Sequence, residues 1–145
     1  MINQFKEKYR FLSNFYPCPI TYEGFTYPNV EAAFQAQKAD SEEGKAKYTT
    51  CNNPVIAKRM GKKEKIDIAA WNANRIPLMK ELLEIKFADP ELRQMLLETD
   101  KEELVEGNNW NDTFWGVSLK TGKGENHLGK LLMEIREKLA DKERE

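Results

Sequence analysis

Leu128, Leu131, Leu132, Ile135 and Leu139 recur at i, i+3, i+4 spacing near the end of the chain. That is the pattern of a helix with one apolar face, and such a face has to be buried against a core. Leu78, Met79, Leu82, Leu83 and Phe87 repeat the pattern in a helix ending before Asp89-Pro90, and Pro90 opens another carrying Leu92, Met95 and Leu96. Asn29 can cap a helix running to about Ala39, after Pro28 ends a strand. Asn53-Pro54 supply a cap and a first-turn proline for a helix that stops at Gly61. Strand signals are fewer. Ile20-Thr21-Tyr22 and Phe25-Thr26-Tyr27 alternate around Glu23-Gly24 as a hairpin, and Glu103–Glu106 and Thr113–Val117 read as short strands. The expectation is an α+β fold, mainly helical with a few short strands, in a single domain spanning residues 1–145. The charged tail, 141–145, is expected to fray.

At 145 residues, 40% apolar and 32% charged, the chain is long enough for one proper core and apolar enough to fold. No apolar run approaches the roughly 18 residues that span a bilayer, and the first eight residues lack the apolar centre of a signal peptide. A cytoplasmic protein without membrane contact is expected. Net charge is −1, from 23 basic and 24 acidic residues, which lacks the basic excess of a nucleic-acid footprint. The densest basic stretch, Arg59-Met60-Gly61-Lys62-Lys63-Glu64-Lys65, reads as a solvated loop. Cys18 and Cys51 form no CxxC pair and read as free thiols, and His127 is the only histidine. That excludes a multi-histidine metal site and any mechanism needing two imidazoles, so no metal and no cofactor is expected. Chemistry falls to carboxylates, lysines, amides and backbone groups.

Three segments combine residue types that chemistry uses. Phe11-Leu12-Ser13-Asn14-Phe15-Tyr16-Pro17 is aromatic and polar together, either a core-packing loop or a stacking platform with hydrogen-bonding groups. In Val30–Lys38, helical spacing places Glu31, Gln35 and Lys38 within about 60° of one another. A polar stripe beside an apolar one is also the look of an ordinary surface helix. Glu31 falls in the first helical turn, where the dipole favours the ionised carboxylate, so position points to a nucleophile, a base or a stabiliser of positive charge. Burial would push the other way, toward a general acid. The third segment, Trp110-Asn111-Asp112-Thr113-Phe114-Trp115-Gly116, is followed by Thr121–Gly129, where Gly122 and Gly124 precede the final helix. Free N–H groups at a helix start can seat a phosphate, though pre-helix glycines often only make turns, and this is no Walker loop.

These segments resemble, in order, the motifs of the YbiA-like (NADAR) family. The resemblance rests on Phe11–Pro17, Tyr27–Lys38, Lys86-Phe87, Leu96–Thr99, Asp112 with Trp115-Gly116, and Gly124–Gly129, and covers the chain from about Phe5 to Leu139. It departs at Ala32, where relatives often carry histidine, and at Val117-Ser118-Leu119, where they often place another glycine. The resemblance implies a hydrolase cleaving N-glycosidic bonds in nucleotide-like molecules, of the ribosylated, phosphorylated pyrimidine type met in riboflavin synthesis. Other members of the family remove ADP-ribose from guanine in nucleic acid. Carried onto this chain, it implies site residues Ser13, Asn14, Phe15, Glu31, Lys38, Trp71, Asp112, Trp115 and Asn126.

On that reading Glu31 acts on the sugar side and Asp112 is the candidate second carboxylate. Lys38 protonates the base, binds phosphate or attacks the sugar carbon. Phe15, Trp71 or Trp115 stacks on the base, worth roughly 1–3 kcal/mol. The loop with Gly124 and Asn126 takes phosphate. The partner is a small nucleotide-like substrate. The rivals are an ADP-ribosyl-guanine hydrolase, with a nucleic-acid partner, a module that binds ADP-ribose or a nucleotide without turnover, and a structural domain without a ligand.

Overall fold

The computed structural model describes residues 1–145. The alternating segments form the expected hairpin: β1 (Ile20–Tyr22) pairs antiparallel with β2 (Phe25–Tyr27), Ile20 opposite Tyr27. Glu23 and Gly24 both take positive φ, at 48° and 89°, the geometry of a tight two-residue hairpin turn. Two units are distinguishable by their internal contacts: Asn14–Lys86, and Met1–Ser13 together with Phe87–Glu145.

In the first unit the hairpin leads into α1 (Val30–Ala36), capped by Asn29, whose Oδ1 accepts from Ala32 N at 2.8 Å. α1 stops short of the expected Ala39, and all seven of its residues are buried. It packs against α3 (Pro54–Lys62), α4 (Ile68–Lys86) and the hairpin. Glu31 and Gln35 are therefore not on the solvated face of a surface helix, and that alternative falls. A short α2 (Glu42–Ala46), capped by Ser41, carries no apolar periodicity and is not legible in the sequence.

α3 starts at Asn53-Pro54 as expected but runs through Gly61, so Arg59–Lys62 is helix rather than loop. α4 begins ten residues before Leu78 and passes through Pro77. Its first half is largely exposed, so it shows no apolar stripe, and Pro77 reads locally as a boundary. The signal for the early start was Asp67, whose Oδ1 accepts from Ala70 N at 3.1 Å. Ile20, Tyr27, Val30, Tyr48, Met79, Leu82 and Leu83 are all essentially inaccessible. Burying each aliphatic side chain among them stabilises the fold by roughly 1.5–3 kcal/mol before entropy is counted.

In the second unit a 3₁₀ helix (Glu7–Leu12) precedes α5 (Pro90–Glu98) and α6 (His127–Glu143), which pack on each other. Leu128, Leu131, Leu132 and Ile135 are buried as the stripe requires, and α6 continues into the charged tail as far as Glu143. The strands differ from expectation. β3 (Gly107–Asn108) and β4 (Val117–Ser118) pair in parallel, while Leu104 makes a single bridge with Ile2. Thr113–Gly116 is not a strand because its carbonyl groups serve another purpose, described below. No helix is long and apolar enough to cross a membrane.

Candidate active site

Glu31 and Lys38 flank one short buried segment. The Glu31 N–H donates to Asn14 O at 3.1 Å, which ties the first turn of α1 to the aromatic-polar loop. Glu31 is 8% exposed, and its Oε1 accepts from Gln35 Nε2 at 3.1 Å. The stripe read from the sequence thus forms a real i, i+4 contact. Lys38 lies just past α1, half-buried, with its Nζ 5.3 Å from the centre of the Trp71 ring. Burial lowers the Lys38 pKa, and the Glu31 charge opposes that by raising it. Phe34 packs against Trp71, ring centres 5.0 Å apart and planes tilted by 59°.

Lys38 and Trp71 line a cleft of about 530 Å³, together with Tyr22, Asp67, Asn74 and Glu81. That volume suits a nucleotide-sized ligand, and an aromatic face beside a few polar groups is the usual make-up of such a site. The Tyr22 hydroxyl donates to Glu81 Oε2 at 2.8 Å, and both burial and this bond push its pKa up. Tyr22, Asn74 and Glu81 were missed by sequence reasoning, because the hairpin and α4 that carry them become neighbours only in the fold.

Asn14 is buried beside this segment. Its Nδ2 reaches Met79 Sδ at 3.5 Å, while its Oδ1 is buried without a hydrogen-bond partner. Phe15, part-buried, follows it in the same unit. Ser13 ends the 3₁₀ helix, its N–H donating to Arg10 O at 3.0 Å. Lys86, in the Lys86-Phe87 motif, is buried with its ammonium 5.7 Å from the Tyr16 ring centre, and burial pushes its pKa down to about 8.

The remaining candidates belong to the other unit, where the amides around the start of α6 are engaged within the chain. The N–H groups of Glu125, Asn126, His127 and Leu128 donate to the carbonyls of Thr113, Gly116, Phe114 and Trp115, at 2.8 to 3.2 Å. The α6 first-turn donors of His127 and Leu128 are thus satisfied within the chain. Asn126 takes a left-handed conformation, φ 54°, and its side chain is buried. Its Oδ1 accepts from Glu106 N and its Nδ2 donates to Leu104 O, both at 3.0 Å. Asn126 thus cross-links the start of α6 to the backbone of residues 104–106.

A Cβ at Gly124 would overlap the Gly116 carbonyl and Val117 Cα, so close packing of the chain already demands glycine there. Asp112 is likewise occupied locally. Its Oδ1 accepts from Phe114 N at 3.1 Å and Trp115 N at 2.9 Å, closing the turn. Trp115 packs edge-on against Phe114, centres 4.9 Å apart, and Phe114 also lies 4.5 Å from the His127 ring.

Comparison with known proteins bears directly on the chain. The NADAR domain model matches residues 2–140, which includes residues of both units. N-glycosidase YbiA of Shigella boydii is 39% identical over 136 residues, covering 92% of this chain and 84% of that protein. A riboflavin biosynthesis protein of Vibrio vulnificus is 34% identical over 137 residues, covering 93% of this chain but 37% of its own length. The solved NMR structure of Escherichia coli YbiA superposes with a TM-score of 0.84 at 37% identity, covering all of this chain and 90% of that one.

Proposed function

This chain belongs to the NADAR family, and we propose that it is an N-glycosidase hydrolysing the bond between a phosphorylated ribose and its base, at the cleft formed by Lys38 and Trp71. It is thus a hydrolase acting on N-glycosyl compounds, the activity named for its relatives of matching length. The observation that carries the site assignment is the Lys38 ammonium over the Trp71 ring in a cleft of about 530 Å³, with the Glu31 charge bearing on it.

Breaking the C1′–N bond sends its electron pair to the departing base and leaves positive charge on the sugar. Water then adds to C1′ and one proton goes to the base. Glu31 acts on the sugar side, stabilising the oxocarbenium-like state or holding the water. Trp71 offers a face for a base to stack on. Lys38 supplies positive charge at the leaving base or the phosphate, or its neutral amine attacks C1′.

The test is release of free base from phosphorylated ribosyl-pyrimidines, with ADP-ribosyl-guanosine in DNA or RNA offered in parallel. Turnover of only the modified nucleic acid would replace the small-metabolite reading. Binding of every glycoside without turnover would replace the enzyme by a binding module. Because one histidine and two cysteines are too few for a transition-metal cage, base release is expected to survive EDTA. Loss on chelation, restored by a divalent ion, would show otherwise.

Lys38→Met is expected to lower kcat/KM by about 10²-fold, the usual worth of a positioned proton-transfer group. The pH profile separates the roles. Burial lowers the Lys38 pKa, so the protonated form is lost at a lower pH than for an ordinary lysine. A Lys38 acting as acid or phosphate partner gives a rate falling as pH rises through that value, whereas an attacking amine gives a rate rising through it. Rescue by Lys38→Arg would single out the phosphate role, because arginine keeps the charge but yields no proton. Unchanged kcat/KM in Lys38→Met would remove the residue from the site.

A further inference from the structure

Gln35 sits one turn after Glu31, and the two are 5% and 8% exposed. The Gln35 Nε2 donates to Glu31 Oε1 at 3.1 Å, while its Oε1 is buried with no hydrogen-bond partner. A buried acceptor without a partner weakens a fold, because its lost hydration is not replaced. An amide can turn over to escape such a position. Here turning over would set Oε1 against a carboxylate oxygen, acceptor against acceptor, so an ionised Glu31 selects the observed orientation.

Room for the amide comes from α3. A Cβ on Gly61 would overlap Gln35 Oε1 and Cδ. Gly61 lies in the last turn of α3 and is not among the positive-φ glycines, so a special backbone conformation does not explain it. A glycine inside a helix is itself less favourable than alanine. Two locally unfavourable features, an orphaned acceptor and a helical glycine, therefore meet at one side chain, and that side chain grips the proposed reacting carboxylate. Folds retain such local costs where a site needs them.

We propose that Gln35 is a positioning residue that fixes the Glu31 carboxylate in a single orientation, and that Gly61 is the gap in α3 that lets its amide take this place. The inference rests on the role given to Glu31 under the proposed function.

Gln35→Met keeps the length and bulk of the side chain but removes both the N–H donor and the orphaned oxygen. kcat is expected to fall about 10- to 100-fold as the carboxylate loses alignment, with KM changed less than about twofold. The melting temperature is expected to change little, because removal of the buried unpaired carbonyl offsets the lost donor to the Glu31 carboxylate. A glutamine that only supports the fold gives the opposite pattern: a lower melting temperature and an unchanged kcat. Gly61→Ala, which forces the amide aside, should reproduce the loss in kcat.

The native protein offers a measurement that needs neither activity nor a folded variant. In NMR spectra of wild type, one proton of the Gln35 side-chain amide should be shifted downfield and protected from exchange. Solvent-like shifts and exchange at that amide would overturn the proposal, as would wild-type kcat in Gln35→Met. An inactive Glu31→Gln beside a fully active Gln35→Met sinks this inference alone. A fully active Glu31→Gln sinks the role of Glu31 itself.

Discussion

Glu31→Gln is expected to leave the fold intact and to lower base release by about 10³-fold, within the range attributed to a positioned carboxylate group. The fold survives because the swap is nearly isosteric and the new amide oxygen still accepts from Gln35 Nε2, as Oε1 does now at 3.1 Å. The Glu31 backbone N–H to Asn14 O is untouched. What disappears is the negative charge in a buried place, where no water replaces it. A positive charge developing on the sugar then loses its stabiliser, or the attacking water its base. The measurement pairs chromatographic release of free base with a thermal melt. Wild-type turnover in a folded mutant would take Glu31 out of the mechanism. Loss of turnover accompanied by a collapsed melt would mean that the substitution read stability instead.

Gly124→Val is expected to cost about 3 kcal/mol or more of stability, a drop of about 10 °C in melting temperature for a chain of this size. Gly124 has φ 155°, and a Cβ there would overlap the Gly116 carbonyl and Val117 Cα. Neither neighbour is the flexible end of a side chain, so the backbone has to move. That movement strikes the amides of residues 125–128, which satisfy their donors on the carbonyls of residues 113–116. The effect should appear in the melt and should weaken phosphorylated and dephosphorylated substrates equally. A selective rise in KM for the phosphorylated substrate, at unchanged melting temperature, would restore the phosphate seat and refute the structural role.

The contrast between these two residues shows what local sequence carries. Glu31 and Gln35 are visible as partners from helical spacing alone, because an i, i+4 contact is made within one turn and needs no tertiary information. The hairpin at Glu23-Gly24, the caps Asn29 and Asn53 and the apolar stripe of α6 are legible for the same reason: each depends on residues a few positions apart. Gly122, Gly124 and Asn126 before a helix are equally visible, but their meaning is not. A glycine-bearing loop with free amides and one with spent amides have the same local sequence. The difference is made by Thr113–Gly116, a segment upstream of the loop whose carbonyls take up the donors of residues 125–128.

By itself, then, the sequence determined an α+β chain with a hairpin and a C-terminal amphipathic helix, a carboxylate and a lysine seven residues apart in one short segment, and the family to which those motifs belong. Periodicity, caps and turn residues are short-range physics, and the order of motifs is a one-dimensional property. Tertiary structure alone decided that α1 is buried on every side, so that Glu31 and Gln35 are desolvated partners and not a wet surface stripe. It also decided that Trp71, unmarked by any periodicity in the exposed half of α4, comes under the Lys38 ammonium. The same packing made Asp112 and Asn126 supports of a closed loop. Burial and long-range hydrogen bonding set the dielectric, the orientation and the availability of each group, and none of these is a property of neighbouring residues along the chain.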